Sequence, residues 1–100
     1  MKEFPQSMSP SNDDYRIEIK RRLLKKWQSL EDETPEAMQK CKEFLVKTPE
    51  DRLRSGGKLK KLKGKHTGIL QYDIIDEARV WYIVDRKQSI VWIKFVGHHP

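Results

Sequence analysis

The chain has 100 residues, of which 36% are apolar and 36% are charged, enough apolar side chains for the core of one small domain. Lys and Arg outnumber Asp and Glu by 21 to 15, and this net charge of +6 favours an anionic partner. No apolar run reaches the roughly 20 residues that a membrane-spanning helix needs. A single cysteine, Cys41, excludes a disulfide framework and a Cys-rich zinc site. We therefore expect a cytoplasmic protein that works without a membrane, a metal or another cofactor.

The basic residues are concentrated in two segments. Seven of them and no acid lie between positions 52 and 65, and six lie between positions 16 and 26 with one acid, Glu18. This separation from the acidic residues predicts a positively charged surface for nucleic acid or for an acidic protein. The alternative is a solvated helix face and a mobile basic loop that bind nothing.

Residues 1–14 contain two prolines and few large apolar side chains, which predicts a flexible arm before a single domain at 15–100. This arm lacks the apolar centre of a signal peptide. At 15–19, apolar and charged residues alternate, as they do in a half-exposed strand.

Two helices are predicted next. Apolar residues recur at helical spacing from 23 to 30, with basic residues on the other face. The Thr-Pro-Glu triplet at 34–36 is typical of a helix start, because it supplies a hydroxyl cap, a proline and an acid at the positive end of the helix dipole. The helical spacing then continues to Leu45 and makes Cys41 a core residue rather than a nucleophile.

The last third of the chain changes to the period of a sheet. Segments 69–75, 79–84 and 89–96 are rich in β-branched and aromatic residues and are separated by short polar breaks. They predict an antiparallel meander of three strands. The element order β-α-α-β-β-β predicts an α+β fold, with two helices packed on one face of a small, four-stranded antiparallel sheet.

Strand alternation assigns the meander residues to the two faces of this sheet. Apolar rows, such as Val91, Ile93 and Phe95, are expected to contact the helices. The opposite face then carries polar and aromatic side chains: Gln71, Asp73, Arg79, Trp81, Trp92, Lys94 and His98. Indoles stack on unpaired bases and cations bind phosphates, so this face is a candidate RNA surface. The alternatives are that Arg79 and Asp73 form a cross-strand ion pair, and that the indoles cover the edge of a thin core.

Three segments, taken in order, resemble the RelE/ParE superfamily of small toxins from toxin–antitoxin systems. Residues 59–64 (LKKLKG) are similar to the family's Leu-Lys-Gly segment before the sheet. Residues 78–84 (ARVWYIV) are similar to its Arg-Val-hydrophobic-Tyr strand, and 93–98 (IKFVGH) to its last strand, which ends in Gly-His. Many members carry Arg or Lys where this chain has Gln71 and Asp73.

The resemblance implies a RelE-like fold and a toxin that cleaves mRNA on the ribosome without a metal, partnered by an acidic antitoxin. It implies that Arg79 stabilises the scissile phosphate and that His98, rather than His99, is the general acid or base. Asp73 either acts as the base or neutralises Arg79. The predicted RNA-binding residues combine the basic segment with the sheet face: Lys58, Lys60, Lys61, Lys63, Lys65, Trp81, Trp92 and Lys94. Two other hypotheses are a ParE-like poison of DNA gyrase that lacks RNase activity and a non-catalytic basic RNA-binding adaptor.

Overall fold

The computed structural model describes residues 14–98. The elements in chain order are strand β1 (Arg16–Ile19), helices α1 (Arg21–Glu33) and α2 (Pro35–Lys47), strand β2 (Leu59–Lys61), a 3₁₀ turn (Gly64–His66), and strands β3 (Leu70–Ile75), β4 (Ala78–Asp85) and β5 (Ile90–His98). The predicted arm, except its last residue, and His99 lie outside the described residues.

The five strands form one mixed sheet in the order β1-β5-β4-β3-β2. Strand β1 runs parallel to β5, and the other neighbours are antiparallel. Helix α1 packs against β5, and α2 packs against β3. The α+β fold with two helices on a small sheet is therefore confirmed.

The sheet differs from the prediction in two respects. Strand β1 pairs in parallel, because the rest of the chain before β5 supplies the long crossover that parallel pairing requires. In addition, Leu59–Lys61 form a fifth strand in the basic segment, where no strand was predicted. A three-residue edge strand with two lysines has too little alternation to be recognised.

The junction between the helices also differs from the predicted cap. Pro35 begins α2 and Glu36 lies in its first turn, as predicted. The Thr34 hydroxyl, however, does not cap α2 but donates to the carbonyl oxygen of Leu30 at 3.1 Å. Thr34 is the only residue between the two helices, and its backbone N–H donates to the same carbonyl at 2.8 Å. It therefore closes α1 rather than opening α2.

Cys41 is fully buried in the core between the helices and the sheet, and burial raises the pKa of its thiol from 9.0 to about 12. The folded state therefore holds the thiol proton more tightly than the unfolded chain does. Stability that is complete below pH 9 is lost as the pH rises toward 12, by about 1.4 kcal/mol per pH unit. Urea unfolding at a series of alkaline pH values should show that Cys41→Ala, although less stable overall, loses this part of the slope. Identical slopes in both proteins would contradict the expected shift.

Candidate nucleic-acid interface

The sheet face opposite to the helices, here called the open face, carries side chains in cross-strand rows. Two rows contain four of the eleven predicted site residues. The first crosses four strands and consists of Lys60, Gln71, Trp81 and Phe95. The second crosses three strands and consists of Asp73, Arg79 and Gly97.

Arg79 is half-buried at the centre of the second row. Its Nε is buried and has no hydrogen-bond partner within the described chain. The cross-strand ion pair with Asp73, one of the alternatives considered above, is not formed, because none of the ion pairs within residues 14–98 includes Arg79. A guanidinium that lacks a protein partner is available for an anion, for which its planar donors are well suited.

The carboxylate of Asp73 is instead part of a polar chain that crosses three strands. Its Oδ2 lies 3.1 Å from Nζ of Lys60, and its Oδ1 accepts a hydrogen bond of 2.8 Å from Nε2 of Gln71. The Oε1 of Gln71 in turn accepts from the indole Nε1 of Trp81 at 2.9 Å. Because Gln71 is only 5% exposed, this chain fixes the orientation of the Trp81 ring as well as the position of the Lys60 ammonium.

Three aromatic rings form a cluster beside this chain. The Trp81 ring lies 4.8 Å from the ring of His66 and 5.4 Å from the ring of Phe95, measured between centroids, and both contacts are tilted. His66 was not predicted as a site residue, because it lies in the connection between β2 and β3. In the sequence, only its position beside the basic segment, between Gly64 and Gly68, could have indicated a role in the site.

The position of Phe95 corrects the predicted faces of β5. Trp81 pairs with Phe95 while Tyr82 pairs with Ile93, so Lys94 is an extra residue in β5, a β-bulge. One extra residue exchanges the two faces for every position beyond it. Phe95 therefore lies on the open face, and Val96, which was expected there, is buried in the core.

The same bulge changes the predicted position of His98. In this register His98 lies opposite Ala78, which is fully buried, and Gly97 lies opposite Arg79. Gly97 also has a φ of +143°, and a Cβ there would lie 3.3 Å from Cγ of Lys26 in α1, so regular alternation ends at this residue. The register thus pairs Arg79 with Gly97 and does not support the expected meeting of Arg79 with His98, which is exposed at the end of β5.

The predicted lysines of the basic segment divide between the two sides of the sheet. Lys60 lies on the open face, but Lys61 is opposite Leu70, in the row that continues to the buried Tyr82. Lys58 also lies on the helix side, where its Nζ is 6.0 Å from the centre of the Tyr72 ring and it lines a cleft of about 560 Å³ beside α2. The expectation that the whole segment binds RNA as one surface is thus corrected.

The remaining predicted RNA-binding residues are exposed to different degrees. Lys63 and Lys65 are exposed in the connection that carries His66. Trp92 is 40% exposed and lies opposite Ile83 and Glu18, one row beyond Trp81 on the open face. Lys94 is exposed at the bulge and, with Trp92, lines a small cleft of about 140 Å³.

Neither a membrane-spanning helix nor a group of metal-binding side chains is found among the described residues. None of the helices within residues 14–98 is long and apolar enough to cross a membrane. In the same part of the chain, no three His, Cys, Asp or Glu side chains are grouped as a metal site would require.

Solved structures that match this fold include toxins and toxin–antitoxin complexes. The RelE–RelB complex of the archaeon Pyrococcus horikoshii matches with 25% identity and a TM-score of 0.64, over 85% of this chain and 94% of that chain. A YoeB–YefM complex from Staphylococcus aureus matches with 24% identity and a TM-score of 0.62, over 86% and 98%. The YoeB/ParE toxin from Agrobacterium tumefaciens matches with 16% identity and a TM-score of 0.62, over 85% and 99%. No protein-family model and no curated protein matches the chain.

Each of these matches covers at least 85% of this chain. The chain therefore has the fold of the RelE and YoeB toxins, and the resemblance to the RelE/ParE superfamily is confirmed at the level of the fold.

Proposed function

We propose that this protein is the toxin of a type II toxin–antitoxin system and that it cleaves RNA on the open face of its sheet. The observation that carries the proposal is the state of Arg79, a half-buried residue on the middle strand of this face whose buried Nε has no hydrogen-bond partner within residues 14–98. A buried donor that lacks a partner costs free energy, so its presence is better explained by a ligand that satisfies it. The fold shared with RelE and YoeB supports the same function.

The reaction that fits these residues is the attack of a ribose 2′-oxygen on the adjacent phosphorus. It forms a 2′,3′-cyclic phosphate and releases a 5′-hydroxyl, and it proceeds without a metal ion. A cation must stabilise the charge that develops on the phosphate oxygens, and a base must accept the 2′-proton. Arg79 supplies the first of these functions. Asp73 holds Lys60 and Gln71 in place through its two engaged oxygens, so we assign it a positioning role in preference to that of the base.

The proposed substrate is single-stranded mRNA, bound on the ribosome as the family resemblance implies. Unstacked bases are recognised by aromatic side chains, and the cluster around Trp81 provides such a surface next to Arg79. The proposed protein partner is an acidic antitoxin that covers the positively charged surface. The P. horikoshii and S. aureus structures are themselves complexes, with RelB and YefM respectively.

The decisive experiment compares three activities of the purified protein. Programmed ribosomes carrying a defined mRNA, and the same mRNA free in solution, are incubated with the protein and mapped by primer extension, and DNA gyrase is assayed in parallel. We expect cuts in the mRNA and no effect on gyrase. Trapped gyrase–DNA cleavage with intact mRNA would support a ParE-like poison instead. RNA binding without cleavage would support a non-catalytic adaptor.

Lys60 and Lys61 are a matched pair for testing the interface, because they are adjacent but lie on opposite sides of the sheet. Lys60→Gln should weaken the binding of single-stranded RNA and lower the log–log salt slope by about 0.7, which corresponds to one phosphate contact. Lys61→Gln removes the same formal charge and should keep the slope. Filter binding over a salt series measures both.

Lys60→Gln also leaves the Asp73 carboxylate without its cation. The double variant Lys60→Gln/Asp73→Asn controls for this, and it should show the same reduced slope. An equal loss for Lys60→Gln and Lys61→Gln would mean that RNA responds to the net charge and not to the open face.

A further inference from the structure

His66 is an imidazole held on the open face by a short, well-bonded turn. Its backbone N–H donates to the Lys63 carbonyl at 3.3 Å, and its own carbonyl accepts from the Ile69 N–H at 3.1 Å. The Thr67 hydroxyl closes the same turn with a bond of 2.7 Å to the Gly64 carbonyl. The ring is half-buried and packs against Trp81, so it has a defined place in the site.

We propose that His66 accepts the 2′-hydroxyl proton in the cleavage reaction, an inference that rests on the proposed function. Arg79 and Trp81 are two residues apart on β4 and point to the same face, with a spacing of about 7 Å along the strand. A phosphate held by Arg79 therefore has its neighbouring nucleotide over Trp81, where the His66 ring lies. Imidazole is the side chain that ordinarily exchanges protons near neutral pH.

The sheet register does not pair the other described histidine with Arg79. His98 shares its row with Ala78, which is buried on the helix side, and Gly97 separates it from the regular part of β5. Of the two histidines within residues 14–98, His66 is thus the one whose contacts place it on the open face.

The charged residues in the turn and at strand positions in or next to the row of Trp81 give the reason for assigning this proton to the imidazole and not to a carboxylate. They are Lys63 and Lys65 in its own segment, Lys60 on β2, Asp73 on β3, Arg79 on β4 and Lys94 on β5. Asp73 is the one acid among them, and both of its oxygens are already engaged by Lys60 and Gln71. The cations bind and stabilise phosphate, whereas an imidazole in its neutral form has a lone pair that can accept a proton.

Atoms and charge are conserved in the proposed step. The neutral ring nitrogen of His66 takes the proton from the 2′-hydroxyl while the 2′-oxygen bonds to phosphorus. The bond between phosphorus and the 5′-oxygen breaks, and the leaving 5′-oxygen takes a proton from water. The resulting hydroxide is neutralised by the proton on His66, which returns the ring to its starting form.

Two substitutions separate a proton-transfer role from a packing role. His66→Phe keeps an aromatic ring against Trp81 but cannot accept a proton, and His66→Gln loses both properties. We expect both to lower the single-turnover rate of RNA cleavage by about 10²–10⁴-fold. RNA binding should be nearly retained in His66→Phe and weakened in His66→Gln.

Three other outcomes would contradict the proposed role of His66. A His66→Phe protein that cleaves at nearly the wild-type rate overturns this inference, because packing alone would then suffice. A loss in His98→Gln with none in His66→Phe overturns it in favour of the C-terminal histidine. A wild-type protein that binds RNA but never cleaves it overturns the proposed function and this inference with it.

Discussion

Replacing Arg79 by alanine is expected to lower the single-turnover rate of RNA cleavage by about 10²–10³-fold, the usual cost of removing one group that stabilises transition-state charge. The physical reason is that its guanidinium, on the middle strand of the open face, forms no ion pair within the described residues, and the scissile phosphate is proposed to bind there. Arg79→Lys keeps the charge but loses the planar, bidentate donor geometry, so it should recover only part of the rate.

The stability of Arg79→Ala distinguishes this role from a structural one. The substitution removes a buried Nε that has no partner, so the free energy of unfolding should stay the same or rise by about 1 kcal/mol. A residue retained for packing or for an ion pair would show the opposite sign. Urea unfolding measured beside the cleavage rate tests both expectations. Unchanged cleavage together with a clear loss of stability would make Arg79 a structural residue.

The helices and hairpins were predictable because their signals are local. Helical spacing of apolar residues placed α1 and α2 within a few residues of their observed bounds, and Pro35 marked the start of α2. The two-residue break at 76–77 likewise marked the turn that joins β3 to β4. These features depend on neighbours along the chain, which a sequence displays directly.

The faces of β5 were not predictable beyond Lys94, because alternation is a count of residues and a bulge changes the count. Nothing in Ile93-Lys94-Phe95 marks a bulge, since the segment contains neither glycine nor proline. The error affected the candidate site directly: it put His98 on the open face and Phe95 in the core. The register observed across β4 and β5 moves Phe95 to the open face and places Gly97, not His98, opposite Arg79.

The positions of Lys60, Lys61 and His66 depended on contacts between segments that are distant in sequence. The basic segment was interpreted as a loop, in which all its lysines are equivalent. Pairing with β3 turns Lys60 and Lys61 to opposite sides of the sheet. The 3₁₀ turn that follows then returns His66 to the Trp81 ring, fifteen positions further along the chain. Such a contact is a property of the tertiary fold.

Trp81→Ala is expected to weaken the binding of a short single-stranded RNA by about 1–3 kcal/mol, or roughly 5–150-fold. The Trp81 ring is held by Gln71 and contacts His66 and Phe95. Because the ring is already ordered, the protein loses little conformational entropy when a base stacks on it. Trp81→Phe retains a stacking surface and should recover much of the affinity.

Trp92→Ala is the matched comparison, because this indole is also on the open face but lies opposite Glu18 and outside the cluster. Its loss should weaken binding less, and fluorescence anisotropy with a labelled RNA measures all three variants. Equal losses for the two alanine variants would show that the RNA contacts the open face broadly, without a stacking position centred on Trp81.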